Sequence, residues 1–423
     1  MKNGVSRFFR ILILLVGILF TSGSCTGGNS RGVPFWNAMG GPLGDALRKI
    51  INDYNSRYPG DPIVYVNLGS YSTLSQKIMG AVAANKPPVL AQVYESWTSE
   101  LLQADKIVPF EDLMKKWIPD SLIEDIFPVF IEDNTWDGRM LTFPFNKSVP
   151  VFYYNIDLFE KYGIDHFPET WEEFREVARK LTIDTTGDGV PDIYGTAYPV
   201  NVWLYEVILY QKGGRIIKDG RVAFDSPEGI EALKFLVDLI YKDSCAYLTT
   251  GFRHQDDFAT GRVAMVFGTI VSYAFMKPKI NFRLGVAPMP HDRDSIVIIS
   301  GTNVAIFKGH PEEKIDRAFD FIRYFLTDSV QVYWSTRTGY LPLRKSILNL
   351  PEMKKFMEQV PGFEKAIRQV EYATYEPRDP VWFTGRRYLT TEGLEPALRG
   401  YLPPEVSLKR AAKLLETELR RRR

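Results

Sequence analysis

LTFPFNKSVPVFYYN, residues 141–155, carries two apolar, strand-like runs interrupted by Asn146, Lys147 and Ser148. A strand that turns polar at its midpoint is leaving one core for another. Pro144 and Pro150 bracket the break, and proline is poorly placed inside a central strand because it has no N–H for the ladder. The stretch is therefore a crossing between two lobes, with Phe143 to Pro150 as the first hinge segment. Such crossings put backbone and short polar side chains on the floor of a cleft, where small ligands settle.

Outward from this crossing the pattern is α/β. Upstream, Val33 to Trp36, Ile63 to Val66 and Val89 to Val93 read as strands. Between them lie helices over Leu43 to Tyr54, where Leu47, Ile50, Ile51 and Tyr54 mark one apolar face, and over Leu74 to Ala84. Downstream, Thr170 with Glu173 forms a capping-box pattern opening a helix to Leu181. Further helices are predicted at Pro227 to Tyr241, Asp256 to Thr260 and Glu312 to Leu326, with a strand at Arg262 to Phe267. Ile296 to Phe307 repeats the opening pattern, broken by Ser300, Gly301 and Thr302, and TGYLP at 338–342 suggests a third crossing. The expected division is 33–145 plus 302–335 for the N-terminal lobe and 146–301 plus 336–423 for the C-terminal lobe. A chain of 423 residues is long enough for two such cores.

Residues 1–24 read as an export signal, with Lys2, Arg7 and Arg10 before the apolar run Ile11 to Phe20 and Ser22, Gly23 and Ser24 leading to Cys25. The layout resembles a lipoprotein signal, which implies lipidation at Cys25, a tether over 25–32 and membrane attachment outside the cytoplasm. Ser22 stands where leucine is usual in such signals. An ordinary cleaved signal and an uncleaved anchor are the other readings. With Cys25 lipidated, Cys245 is alone and no disulfide holds the fold. Lys plus Arg is 52 against 51 for Asp plus Glu, so there is no field to recruit nucleic acid. The four histidines are not at zinc-ligand spacing with cysteine. DTTGDGVPD at 184–192 offers Asp184, Thr186, Asp188 and Asp192 around Gly189, like the first part of a calcium loop. Gly195 stands where the bidentate Glu belongs, and an acidic surface turn without metal is the alternative.

Several motifs in order, PFWNAMGGPLGDAL at 34–47, QVYE at 92–95, PFNKSVPVFYYN at 144–155, GRVAM at 261–265, IISG at 298–301 and TGYLP at 338–342, resemble the extracellular solute-binding proteins of ABC importers. This is the family of maltose-binding and glycerol-3-phosphate-binding proteins, and the likeness is greatest to the latter. It implies two α/β lobes joined by a hinge, a flytrap closing on a carbohydrate-class ligand (glycerol 3-phosphate, a glycerophosphodiester or an oligosaccharide), a permease partner, no cofactor and a monomer. It places Tyr71, Glu95, Ser148, Thr269, Gly301 and Tyr340 in the pocket, with Trp203 at the family's pocket tryptophan and Trp36 beside a strand end. Ser148 is expected to face the ligand, opposite Glu95.

The family's late phosphate-binding arginine has no clean counterpart. Arg386 or Arg387 supplies the guanidinium from a different position, or Lys147 carries the charge where the family has a small polar residue, or the ligand is uncharged. No nucleophile elbow, phosphate loop or dinucleotide fingerprint is present, and Glu95 has no evident carboxylate partner for glycoside hydrolysis. An extracytoplasmic sugar receptor for sensing remains the competing binding role.

Overall fold

A computed structural model describes residues 32–422. The signal and Cys25 lie outside the described residues. Two five-stranded sheets organise the chain. In the first, Val33–Asn37 lies between Ile63–Asn67 and Leu90–Val93, both parallel to it, and Asn303–Ile306 and Phe143–Pro144 complete the sheet antiparallel. In the second, Tyr194–Pro199 lies between Ala246–Thr249 and Val263–Thr269, both parallel, and Pro150–Asn155 and Leu284–Ala287 follow antiparallel. Strands from consecutive β–α units run parallel because a helix brings the chain back over the sheet. The strands that arrive across a hinge run the other way.

Local chemistry sets the helix starts. Ser70 caps Tyr71–Ala83 by accepting from Thr73 N at 3.1 Å. Thr170 and Glu173 form a complete capping box on Trp171–Lys180. Pro227–Tyr241 begins at a proline behind the Ser226 cap. The acidic stretch 184–192 closes on itself: Asp184 accepts from the amides of Gly187 and Gly189 at 2.7 Å each, and Asp188 from that of Val190 at 2.8 Å. Asp192 Oδ2 turns onto the same loop, accepting from Thr185 N at 2.7 Å and from Thr186 N at 3.2 Å. Among the described residues no three His, Cys, Asp or Glu side chains gather as a metal site.

Pro144 ends its strand and Pro150 begins the next. Between them Ser148 exchanges both backbone hydrogen bonds with Ser300, at 3.0 and 2.9 Å, so the two crossings run side by side. Leu341 N donates to Lys147 O at 2.8 Å, which lays the 338–342 segment along the first crossing. Past 335 the chain keeps contact with the segment 125–127. Leu343 O accepts from Phe127 N, and Arg344 and Ser346 both bond Asp125. The interiors are not fully separate. One apolar cluster runs from Phe35 and Val304 in the first sheet to Tyr153 and Val266 in the second. Among the described residues no helix is long and apolar enough to cross a membrane.

Candidate functional site

Where the sheets exchange strands, polar groups replace apolar packing. Asn146 accepts from Gln92 Nε2 and Thr302 N, each at 3.2 Å, and donates to the Tyr71 hydroxyl at 3.2 Å. Burial raises the Tyr71 phenol, and the neighbouring Asn146, Thr302 and Tyr340 groups partly offset it. Tyr340 stacks on Trp334 at 5.5 Å. Tyr71 and Tyr340 thus flank the hinge knot around Asn146. Gly301 has φ +103°, and a Cβ there would lie 1.9 Å from Asn146 O. The glycine is required because two crossings touch backbone to backbone.

Beside this knot lies a buried ion triad. Lys147, 1% exposed, donates from Nζ to Asp133 Oδ2 at 2.6 Å and Glu95 Oε1 at 3.1 Å. Asn303 Nδ2 donates to the same two oxygens at 3.3 and 3.0 Å. Burial by itself would lower the lysine, but the Asp133 and Glu95 carboxylates outweigh it and raise its pKa. Burial, reinforced by the Glu95 charge, pushes Asp133 up to about 7. Lys147 is committed to this triad and is not a free cation for a phosphate.

A narrow cavity opens on the triad, with room for about one water molecule (≈ 10 Å³), lined among others by Tyr94, Glu95, Asp133, Trp203, Gly301 and Arg386. Glu95 reaches it from the first turn of Glu95–Gln103, directly after the strand Leu90–Val93. Trp203 comes from the first turn of Val202–Gln211, which Asn201 caps. The Arg386 guanidinium lies between two rings, 5.2 Å from the Tyr94 centroid and 5.1 Å from that of Trp203, and pairs with buried Glu376. Of the sequence-selected residues the structure therefore brings Glu95, Trp203, Gly301 and Arg386 together here. Arg387, one position on, is exposed and lies over Tyr388, away from the cavity.

The remaining candidates sit elsewhere. Ser148 is buried at the crossing with its Oγ unpartnered and is not among the cavity-lining residues. Thr269 ends its strand, its carbonyl accepting from the Tyr153 hydroxyl at 2.8 Å. Trp36 packs on the apolar cluster around Leu74 and Trp97. Tyr94, Asp133, Ser300 and Glu376 also line the cavity, Ser300 from the polar break of the second crossing. Tyr94 stands inside the QVYE motif, a signal that was available. Asp133 and Glu376 carry no local signature.

Two lobes sharing hydrogen-bonded crossings, with a polar cavity lined from both sides, define a cleft protein of the binding class. The comparisons place it further: residues 49–360 match the family described as bacterial extracellular solute-binding protein, and the chain belongs to that family. It is 27% identical over 407 residues to the sn-glycerol-3-phosphate-binding periplasmic protein UgpB of Yersinia pseudotuberculosis, covering 92% of each chain. The fold superposes on UgpB from Mycobacterium tuberculosis in complex with glycerophosphocholine, with a TM-score of 0.81, 22% identity and coverage of 93% of this chain and 99% of that one. Maltose-bound T. maritima MalE3 gives 0.77 at 22% identity, over 91% of this chain and 99% of that one.

Proposed function

We propose that this chain is the ligand-capturing component of an ABC importer, taking a carbohydrate-class solute into the interlobe cleft and presenting the closed form to a membrane permease. The observation that carries this reading is the lining of the cavity. Tyr94, Glu95 and Asp133 approach from the first lobe, and Trp203, Glu376 and Arg386 from the second. Only a ligand that touches both lobes has differential affinity for the closed state and can shift the population toward it. Room for about one water molecule is far below the roughly 300 Å³ at the low end of ligand sites, so the lobes separate to admit a solute.

The glycerol-3-phosphate-binding relatives and the maltose-bound and glycerophosphocholine-bound structural neighbours support glycerol 3-phosphate, a glycerophosphodiester or an oligosaccharide as the solute. In this reading Glu95 accepts from ligand hydroxyls, Trp203 supplies a ring face, and Arg386 is the cation of the site. Ser148, Tyr71, Tyr340 and Thr269 border the space that opens as the lobes part. The chain works outside the cytoplasm, tethered by lipid on Cys25. Hydrolytic chemistry is disfavoured by geometry, since Glu95 and Asp133 meet on one ammonium instead of facing each other across a substrate. X-ray scattering of the purified chain with and without maltose or glycerophosphocholine tests capture. A smaller radius of gyration with ligand is expected, and no contraction with any solute that binds would remove the flytrap reading. Loss of membrane association in Cys25→Ala tests the anchor.

A further inference from the structure

Cavity-lining residues carry four buried side-chain atoms without a protein partner: Asp133 Oδ1, Glu376 Oε1, Trp203 Nε1 and Arg386 Nε. The first two, as carboxylate oxygens, accept hydrogen bonds, and the last two donate only. Asp133 and Glu376 are 0% and 5% exposed, so bulk water does not serve them. Both cations of the site are already engaged, Lys147 by Asp133 and Glu95 and Arg386 by Glu376. Three carboxylates thus face two cations, and even with Asp133 protonated no positive charge is left over. Behind Trp203, Glu206 is fully buried with both oxygens unpartnered, a further acid close enough to feel Arg386.

We infer that the solute is polyhydroxylated and carries no net negative charge, and that Asp133 and Glu376 select it by requiring hydroxyl donors. The inference rests on the capture reading above and narrows it. A phosphate monoester is a dianion whose oxygens are mainly acceptors. It could serve Arg386 Nε and Trp203 Nε1, yet it would set its charge beside carboxylates that need donors. Strong phosphate sites offer an uncommitted guanidinium fork, and Arg386 is shared with Glu376. A hydroxyl both donates and accepts, so one polyol satisfies all four atoms. A zwitterionic glycerophosphodiester, with net charge zero and free glycerol hydroxyls, also meets the requirement.

Calorimetry of the purified full chain near pH 7.5 with maltose, glycerophosphocholine and sn-glycerol 3-phosphate tests this. Maltose or glycerophosphocholine is expected to bind at least tenfold more tightly than glycerol 3-phosphate. In Glu376→Gln and Asp133→Asn the affinity for the preferred ligand is expected to fall about ten- to hundredfold while the preference over glycerol 3-phosphate narrows. Glycerol 3-phosphate binding as tightly as the others overturns the inference and leaves capture intact. Failure of all three, and of a wider set of neutral sugars, overturns both. Variants that fold and bind the preferred ligand unchanged remove the selecting role of the two carboxylates. Should a variant not fold, the ranking by the wild-type chain still decides.

Discussion

The cavity has a cation on each side, and the two are held very differently. Lys147 is 1% exposed and sits among Asp133, Glu95 and Asn303, its Nζ bonded to both carboxylates, and Asp133 Oδ1 is the one unpartnered atom of that group. Arg386 lies between Tyr94 and Trp203 with its Nε unpartnered and its carboxylate partner, Glu376, half satisfied. The cation of the first network is fully engaged and leaves one carboxylate oxygen over; the second leaves three atoms, Glu376 Oε1, Arg386 Nε and Trp203 Nε1, for something else to complete. Charge in a cleft therefore does not by itself mark a ligand group, and the surplus of unmet hydrogen bonds discriminates better.

That contrast can be broken by experiment. The largest effect is expected at Lys147→Met, which strands two buried carboxylates and should cost about 3–5 kcal/mol in urea denaturation. A loss under about 1 kcal/mol would mean that the ammonium is not what neutralises the two carboxylates. Next comes Gly301→Ala, where a positive φ and a Cβ 1.9 Å from Asn146 O combine. A backbone penalty of roughly 1–3 kcal/mol is expected before the clash is added, read as a lower thermal midpoint.

Acid–base behaviour gives the third test. Burial pushes Glu206 up to about 8, with the Arg386 charge opposing it only in part. Its folded-state pKa lies above the unfolded value, so the folded chain holds the proton more tightly. Stability falls as pH rises from the ordinary carboxylate range to about 8, by at most about 1.4 kcal/mol per pH unit. Glu206→Gln should match the wild type at pH 5 and exceed it at pH 8; equal stability at both would show a carboxylate that is solvated after all. The smallest effect belongs to Trp203→Phe, which keeps a ring and removes one donor. Its stability should stay within about 0.5 kcal/mol, while affinity for the preferred neutral ligand falls roughly five- to tenfold.

Much of the scaffold was legible because it is written locally. The Thr170 box, the Ser226–Pro227 start and the prolines at 144 and 150 each act within a few residues, and the crossing at 143–150 follows from them. The site was legible in part. Glu95 and Gly301 lie in quoted motifs and Trp203 at a position marked only by the family resemblance, whereas Arg386 and Arg387 are neighbours that sequence alone does not separate. Packing against Tyr94 and Trp203, from opposite lobes, is what turns one inward. Lys147 could not be assigned for the same reason. Its partners are 14 and 52 positions away. The contacts of Arg344 and Ser346 with Asp125 were likewise out of reach, because they join segments far apart in the chain.

The side-by-side crossings have a mechanical consequence. A single connecting chain would act as a swivel, free to twist in any direction. Here Ser148 and Ser300 are bonded both ways and Leu341 is bonded to Lys147, so three chain segments form a strip. A strip flexes about one line and resists torsion. Under the proposed capture role, opening and closing would trace a single arc, and solutes of different outline that draw the lobes together should leave the outer surface in the same shape. A transport partner could read that one shape without ever contacting the cargo.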